Sequence, residues 1–189
     1  MKLFYLAFAG VLYLASFAGD AFAQSSDTLT IQLKDGPVVI QLMPDVAPKH
    51  VAQIEALAKK GAYDNVAFHR VIEGFMAQTG DVKFGNMEKG FDASLAGTGG
   101  SDLPDLPAEF SKTPFVRGTV GMARSQDPNS ANSQFFIMFA DGSFLNGQYT
   151  VVGKVISGME NVDKIKRGEG QNGEVSSPDR MIKVTVGKK

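Results

Sequence analysis

A mainly β domain behind a cleavable leader is what this sequence predicts. Three observations carry the prediction. Short apolar runs with strand-like alternation recur between residues 28 and 186, punctuated by glycine, proline and aspartate. Only two stretches show helical spacing. The one long apolar run stands at the N-terminus. Many short strands with turn signals argue for an antiparallel barrel or sandwich, and the pattern alone does not separate the two.

The leader comes first. Lys2 supplies a small positive region, Leu3 to Ala18 is apolar, and Ala21-Phe22-Ala23 is a small-x-small cleavage site before Gln24. Residues 1–23 therefore read as a secretory signal peptide. An uncleaved anchor is the competing reading, but the run is short for a span of about 20 residues. Residues 24–27 are a short polar lead, and residues 28–189 are long enough for one domain with its own core.

Within the domain, Thr28 to Lys34 sets Leu29, Ile31 and Leu33 against Thr30 and Gln32, a half-buried strand. Asp35-Gly36 is a hairpin turn signal, and Pro37 to Leu42 is the returning strand. Pro48 suits the first turn of a helix. Val51, Ile54, Leu57 and Ala58 then recur at helical spacing, Lys59 and Lys60 favour the negative end of the dipole, and Gly61 is a stop. The spacing predicts a helix over Pro48–Lys60, with His50 beside Lys49 on its solvated side. Val66–Ile72 and Phe75–Thr79 are strands around a Glu73-Gly74 turn. Residues 81–110 are rich in Gly, Asp and Pro and lack periodicity; a loop this long is usually functional or mobile. Gly118–Ala123, Ser133–Phe139 and Tyr149–Ile156 are further strands. Met159, Val162 and Ile165 mark a short second helix, and Met181–Val186 closes the sheet.

Composition excludes several chemistries. The chain has no cysteine, so disulfides, thiolate metal sites and a cysteine nucleophile are absent. A net charge of −1 offers no footprint for nucleic acid or an anionic membrane. There is no Gly-x-Ser-x-Gly elbow and no His-Glu-x-x-His set, so a serine hydrolase and a metal site find no support. Gly97-Thr98-Gly99-Gly100 lacks the Lys-Ser/Thr that a phosphate loop needs. No metal and no cofactor is expected. His69, alone between Phe68 and Arg70, reads as a structural histidine rather than an acid or base.

The most informative stretch is 68–81, Phe-His-Arg-Val-Ile-Glu-Gly-Phe-Met-Ala-Gln-Thr-Gly-Asp. It sets Arg70 beside Phe75, Met76 and Gln78, a cationic donor next to apolar surface. Three later blocks accompany it: Gly121-Met122-Ala123-Arg124; Asn132-Ser133-Gln134-Phe135-Phe136-Ile137; and Phe144-Leu145-Asn146-Gly147, followed by Tyr149 and Val152-Gly153-Lys154-Val155. In order and spacing, from about Thr28 to Val186, these blocks resemble the signature of the cyclophilin-type peptidyl-prolyl isomerases.

The resemblance implies a closed eight-stranded antiparallel β-barrel capped by two α-helices, and rotation about Xaa-Pro peptide bonds. Arg70 matches the catalytic arginine and Gln78 the glutamine that braces it. Phe75, Met76, Phe136 and Leu145 match the pocket for the proline ring. Ala123 and Arg124 match the edge whose backbone binds the peptide, and Gln134 matches a polar residue of the groove. Phe144 and Tyr149 stand where familiar eukaryotic members carry a tryptophan and a histidine. Three departures stand out. Arg124 replaces a common asparagine and adds charge to the groove. Thr79 replaces a glycine and makes its turn less permissive. Phe144 lacks the indole N–H on which cyclosporin binding leans, so weak cyclosporin binding is expected. The matching histidine of the family is not credited with proton transfer.

The leader and the resemblance together imply a monomer that acts on proline-containing segments of exported proteins as they fold, without nucleic acid or membrane contact after cleavage. The periplasm is the expected compartment; secretion or the endoplasmic reticulum is the alternative. A non-catalytic binding module on the same fold is the alternative function.

Overall fold

The computed structural model describes residues 28–170 and 172–187; the leader and the polar lead lie outside the described residues. In chain order the elements are β1 (Thr28–Leu33), β2 (Gly36–Leu42), α1 (Pro48–Lys59), β3 (Val66–Ala67), β4 (Arg70–Ile72), β5 (Met76–Thr79), β6 (Thr119–Met122), β7 (Phe135–Met138), β8 (Val151–Ser157), α2 (Met159–Val162), β9 (Arg180–Met181) and β10 (Lys183–Gly187). A 3₁₀ turn spans Ser143–Leu145.

Eight strands form one antiparallel sheet in the order β10-β1-β2-β8-β6-β7-β5-β4. The sheet curls into an open half-barrel, which corrects the closed barrel implied by the resemblance. Its edge strands, β4 and β10, do not pair with each other. Beside them lies a separate ladder of two residue pairs, Val66↔Met181 and Ala67↔Arg180. The expected single strand over 66–72 is broken at Phe68–His69 because its backbone changes partners there. Phe68 N–H donates to Asp179 O at 2.8 Å, while Val71 N–H donates to Gly173 O at 2.7 Å.

Alternation sorts the side chains. Leu29, Ile31 and Leu33 of β1 and Val38, Ile40 and Leu42 of β2 all face inward and are buried, as a period of two requires. Val51, Ile54, Leu57 and Ala58 of α1 cover one side of this core. Each such Leu or Ile contributes about 1.5–3 kcal/mol by leaving water. The second helix is a single turn after Gly158, and Asn161 Nδ2 donates to Pro37 O at 2.9 Å, which ties it to β2.

His50 is not solvated. Its side chain is fully buried, and Nδ1 donates to Glu109 Oε2 at 2.7 Å. Ala47 offers α1 no capping side chain, so Glu109 replaces one from the long loop: it also accepts from the amides of Lys49 and His50, both at 3.1 Å to Oε2. Burial alone would raise the Glu109 pKa. The hydrogen bonds from the His50 ring and from the two amides outweigh it and hold the carboxyl below its ordinary range.

The 81–110 loop is thus pinned at several points. Asp81, fully buried, accepts from the amides of Lys83 and Phe84 through Oδ1 and from those of Gly97 and Gly99 through Oδ2. Asn132 Oδ1 accepts from Ser101, and its Nδ2 donates to Leu103 O. No helix among the described residues is long and apolar enough to cross a membrane.

Candidate active site

The site lies on the face of the sheet opposite the main core, and strand register builds it. Arg70 pairs with Gln78, Gln78 with Phe136, and Phe136 with Gly121, one row across β4, β5, β7 and β6. Two residues along each strand, Ile72, Met76 and Met138 form the next row of the same face. A second apolar cluster grows on this face from Met76, Phe115, Phe136, Met138, Leu145 and Val151. Gly121 is required here. A Cβ at that position would stand 2.5 Å from Phe115 Cε1 and 2.7 Å from Phe136 Cζ, so the two stacked rings use the space.

A cavity of about 420 Å³ opens on this cluster. Phe136 and Leu145 are its most buried apolar walls after Met76, at 5%, 6% and 2% exposure. Phe75 and Phe144 meet at 5.5 Å between ring centroids and form the rim, where Phe144 is 63% exposed. Tyr149 meets Phe136 edge-on at 5.9 Å. Ala123 and Arg124 border the cavity on the β6 side, and Arg70 and Gln78 on the β4–β5 side.

Arg70 is held in two places. Its Nε donates to Asn172 O at 2.9 Å, and its Nη1 donates to Gln78 Oε1 at 3.2 Å. Gln78 Nε2 donates to Gln134 Oε1 at 3.0 Å, and Gln134 Nε2 donates to Gly97 O and Gly99 O at 3.0 and 2.7 Å. The chain of amides fixes the guanidinium against the ordered loop. Nη2 has no hydrogen-bond partner among the described residues, and Arg70 lines the cavity.

The structure brings all but one of the eleven expected residues around this one cavity. Gln134 stands apart, beneath an adjoining hollow that it shares with Gln78. Arg124 does not extend into the groove as a free charge. Its guanidinium lies 4.4 Å over the Tyr149 ring and donates to the carbonyls of Gln148 and Ser125. Thr79 carries no strain, because it is a regular residue of β5 whose Oγ1 donates to Ala67 O at 2.9 Å; the positive φ belongs to Gly80.

His69 is 7% exposed, and neither ring nitrogen meets a hydrogen-bond partner. Burial, opposed only in part by Asp81, lowers its pKa. The ring is neutral near pH 7 and lines a different cavity from the one just described.

Sequence reasoning missed Gln148, which lines the cavity and whose Nε2 donates to Phe144 O at 2.8 Å. Its place between two matched blocks was the available signal. It also missed Asn172, which acts through a backbone carbonyl and so leaves no side-chain signature.

Comparison with known proteins identifies the family. Residues 28–186 match the family described as cyclophilin type peptidyl-prolyl cis-trans isomerase/CLD. The chain is 72% identical over 165 residues to a probable peptidyl-prolyl cis-trans isomerase of Brucella suis, covering 87% of this chain and 84% of that one. It is 35% identical over 171 residues to peptidyl-prolyl cis-trans isomerase B of Escherichia coli, covering 84% and 98%. The crystal structure of a Cryptosporidium parvum cyclophilin type isomerase, in the presence of the dipeptide Ala-Pro, superposes with a TM-score of 0.72 at 26% identity, covering 86% and 99%. The family match and these relatives define the class: an enzyme that interconverts cis and trans peptide bonds before proline, EC 5.2.1.8. Within that class, the chain belongs to the cyclophilin-type family.

Proposed function

We propose that this isomerase holds the proline ring in the Phe75–Met76–Phe136–Leu145 cavity and uses Arg70 to stabilise the twisted amide. The observation that carries the proposal is the anchoring of Arg70. Two of its groups are tied to Asn172 and Gln78 while Nη2 has no hydrogen-bond partner among the described residues, and the residue lines the cavity. The planar Xaa-Pro bond resists rotation by about 18–20 kcal/mol, and uncatalysed exchange takes tens to hundreds of seconds. At the twisted state the proline nitrogen becomes pyramidal and gains a lone pair. A donor aimed at that nitrogen is worth more there than against the planar ground state, which is differential transition-state binding. Arginine suits the task because it is charged at every accessible pH and its fork is rigid. Phe136 and Leu145 fix the ring while the other side of the bond turns. No bond is broken, so no nucleophile or general base takes part. That the Cryptosporidium isomerase was crystallised in the presence of the dipeptide Ala-Pro supports proline as the occupant.

The same proposal places the enzyme outside the cytoplasm, in the periplasm, acting as a monomer on exported proteins whose slow proline steps limit folding. The leader pattern of residues 1–23 supports this.

Two measurements test the proposal. NMR exchange on a short Xaa-Pro peptide will show cis–trans exchange accelerated by catalytic amounts of protein; a protein that binds the peptide without accelerating exchange is a binding module, and the proposal falls. Fractionation of cells producing the full chain will recover the activity in the periplasmic fraction in a form shortened by the leader. A full-length cytoplasmic product contradicts export.

A further inference from the structure

A second cavity, of about 670 Å³, adjoins the first and shares Arg70 with it. One wall is the loop around Ser94, Ala96 and Thr98, and the other is the hairpin side carrying Glu169, Asn172, Glu174, Val175 and Ser176. On that hairpin Glu169 and Glu174 face each other across an antiparallel bridge, with Glu169 N–H donating to Glu174 O at 2.9 Å. Directly opposed residues carry their side chains on the same side, with Cβ atoms about 4.5–5.5 Å apart, and like charges so placed repel. Both glutamates are exposed, and neither meets a lysine or arginine nitrogen within salt-bridge distance among the described residues. Arg70 stands across a second antiparallel bridge from Glu174, but its hydrogen bonds go to Asn172 O and Gln78 Oε1 and it forms no ion pair with either glutamate among the described residues, so it offsets their charge only in part. His69 forms part of the lining and, being neutral, adds no positive charge.

We propose that this cavity is a specificity subsite that selects a lysine or arginine side chain in the peptide substrate, close to the proline and held by Glu169 and Glu174. The proposal rests on the reading that the groove beside Arg70 binds the proline. Arg70 borders both cavities, so the two sites are separated by no more than one side chain. An extended peptide advances about 3.3–3.6 Å per residue, so a residue within about three positions of the proline reaches the hairpin. A basic side chain then relieves the glutamate repulsion and replaces it with two ion pairs. The subsite leaves the rotation step untouched and acts on which peptides are captured.

The test is a peptide scan. Lysine, glutamine or glutamate is placed at each of the three positions on either side of a single proline, and kcat/KM is measured by NMR exchange or a protease-coupled assay. At one or two positions the lysine peptide is expected to exceed the glutamine peptide by about three- to tenfold, the scale of two exposed ion pairs. The preference should collapse near 1 M salt, where the screening length is about 3 Å. Read as the ratio of the lysine to the glutamine peptide within each protein, it should vanish in the Glu169→Gln/Glu174→Gln double variant. The Glu169→Lys/Glu174→Lys variant should instead favour glutamate. Absence of a lysine preference at every position overturns the proposal, as does a preference that survives in the double variant. A wild-type protein that turns over no peptide at all contradicts the groove assignment itself, and the subsite falls with it.

Discussion

Replacing Gln78 by leucine removes a brace at the cavity border and leaves the apolar walls of Phe75, Met76, Phe136 and Leu145 in place. In the wild-type protein Gln78 Oε1 accepts from Arg70 Nη1 at 3.2 Å, and Nε2 donates to Gln134 Oε1 at 3.0 Å. The substitution keeps the side-chain volume but deletes both contacts. Arg70 keeps Asn172 O as its hydrogen-bond partner among the described residues and can swing about its Nε. A hydrogen bond to a charged group is worth about 1.5–3 kcal/mol. If that orientation is expressed fully at the transition state, kcat/KM falls by about 10- to 150-fold, at 1.36 kcal/mol per tenfold. Loss of the neutral Gln134 bond costs stability about 1 kcal/mol. NMR exchange on an Xaa-Pro peptide reads the first effect and a denaturant melt reads the second. The reasoning is refuted if Gln78→Leu, folded by circular dichroism, retains kcat/KM within about twofold of wild type.

Three further predictions concern the scaffold and the rim. Glu109→Gln removes the charged cap of α1 and the carboxylate that accepts from the His50 ring, and should lower stability at pH 7 by about 1–2 kcal/mol in urea melts. Because the Glu109 carboxyl is held below its ordinary value of 4.5, its contribution is fully present above that pH and disappears as pH falls through the depressed value, so wild type and Glu109→Gln should converge in stability at low pH; a constant gap down to pH about 2 contradicts this. Gly158→Ala should destabilise by at least about 2 kcal/mol, since Gly158 has φ +84° and a Cβ would stand 2.1 Å from Pro37 O; an unchanged Tm rejects the clash. Cyclosporin should bind weakly, because the exposed Phe144 ring at the rim offers no N–H donor; a nanomolar Kd by calorimetry is the contrary result.

The sequence disclosed what local chemistry encodes. Alternation gave β1 and β2 to within a residue, and helical spacing with Pro48 gave α1. The four blocks named the residues that strand register then places in one row, because β-strand period and order along the chain suffice to align Arg70, Gln78 and Phe136. The missed features are those whose partners lie far apart in sequence. Glu109 caps a helix 59 residues upstream, and Asn172 holds Arg70 across 102 residues. Nothing in the local pattern around either residue marks that role. The same reason explains His50. Its polarity and its neighbour Lys49 argue for solvent, while its actual partner arrives from a loop without periodicity. The sheet's open edge was also illegible, since alternation fixes which face a residue takes but not whether two distant edges pair.

The central claim is that Arg70 acts on the twisted state and contributes little to ground-state binding. One NMR titration measures both quantities, giving the Kd of an Xaa-Pro peptide and the catalysed exchange rate on the same sample, for wild type and Arg70→Ala. Loss of one preorganised charged donor should slow the catalysed step by about 100- to 1,000-fold. The peptide Kd should change by less than about threefold, because the cavity walls do not depend on the guanidinium. An Arg70→Ala protein whose affinity collapses while its bound-state exchange rate stays near that of wild type would contradict the account.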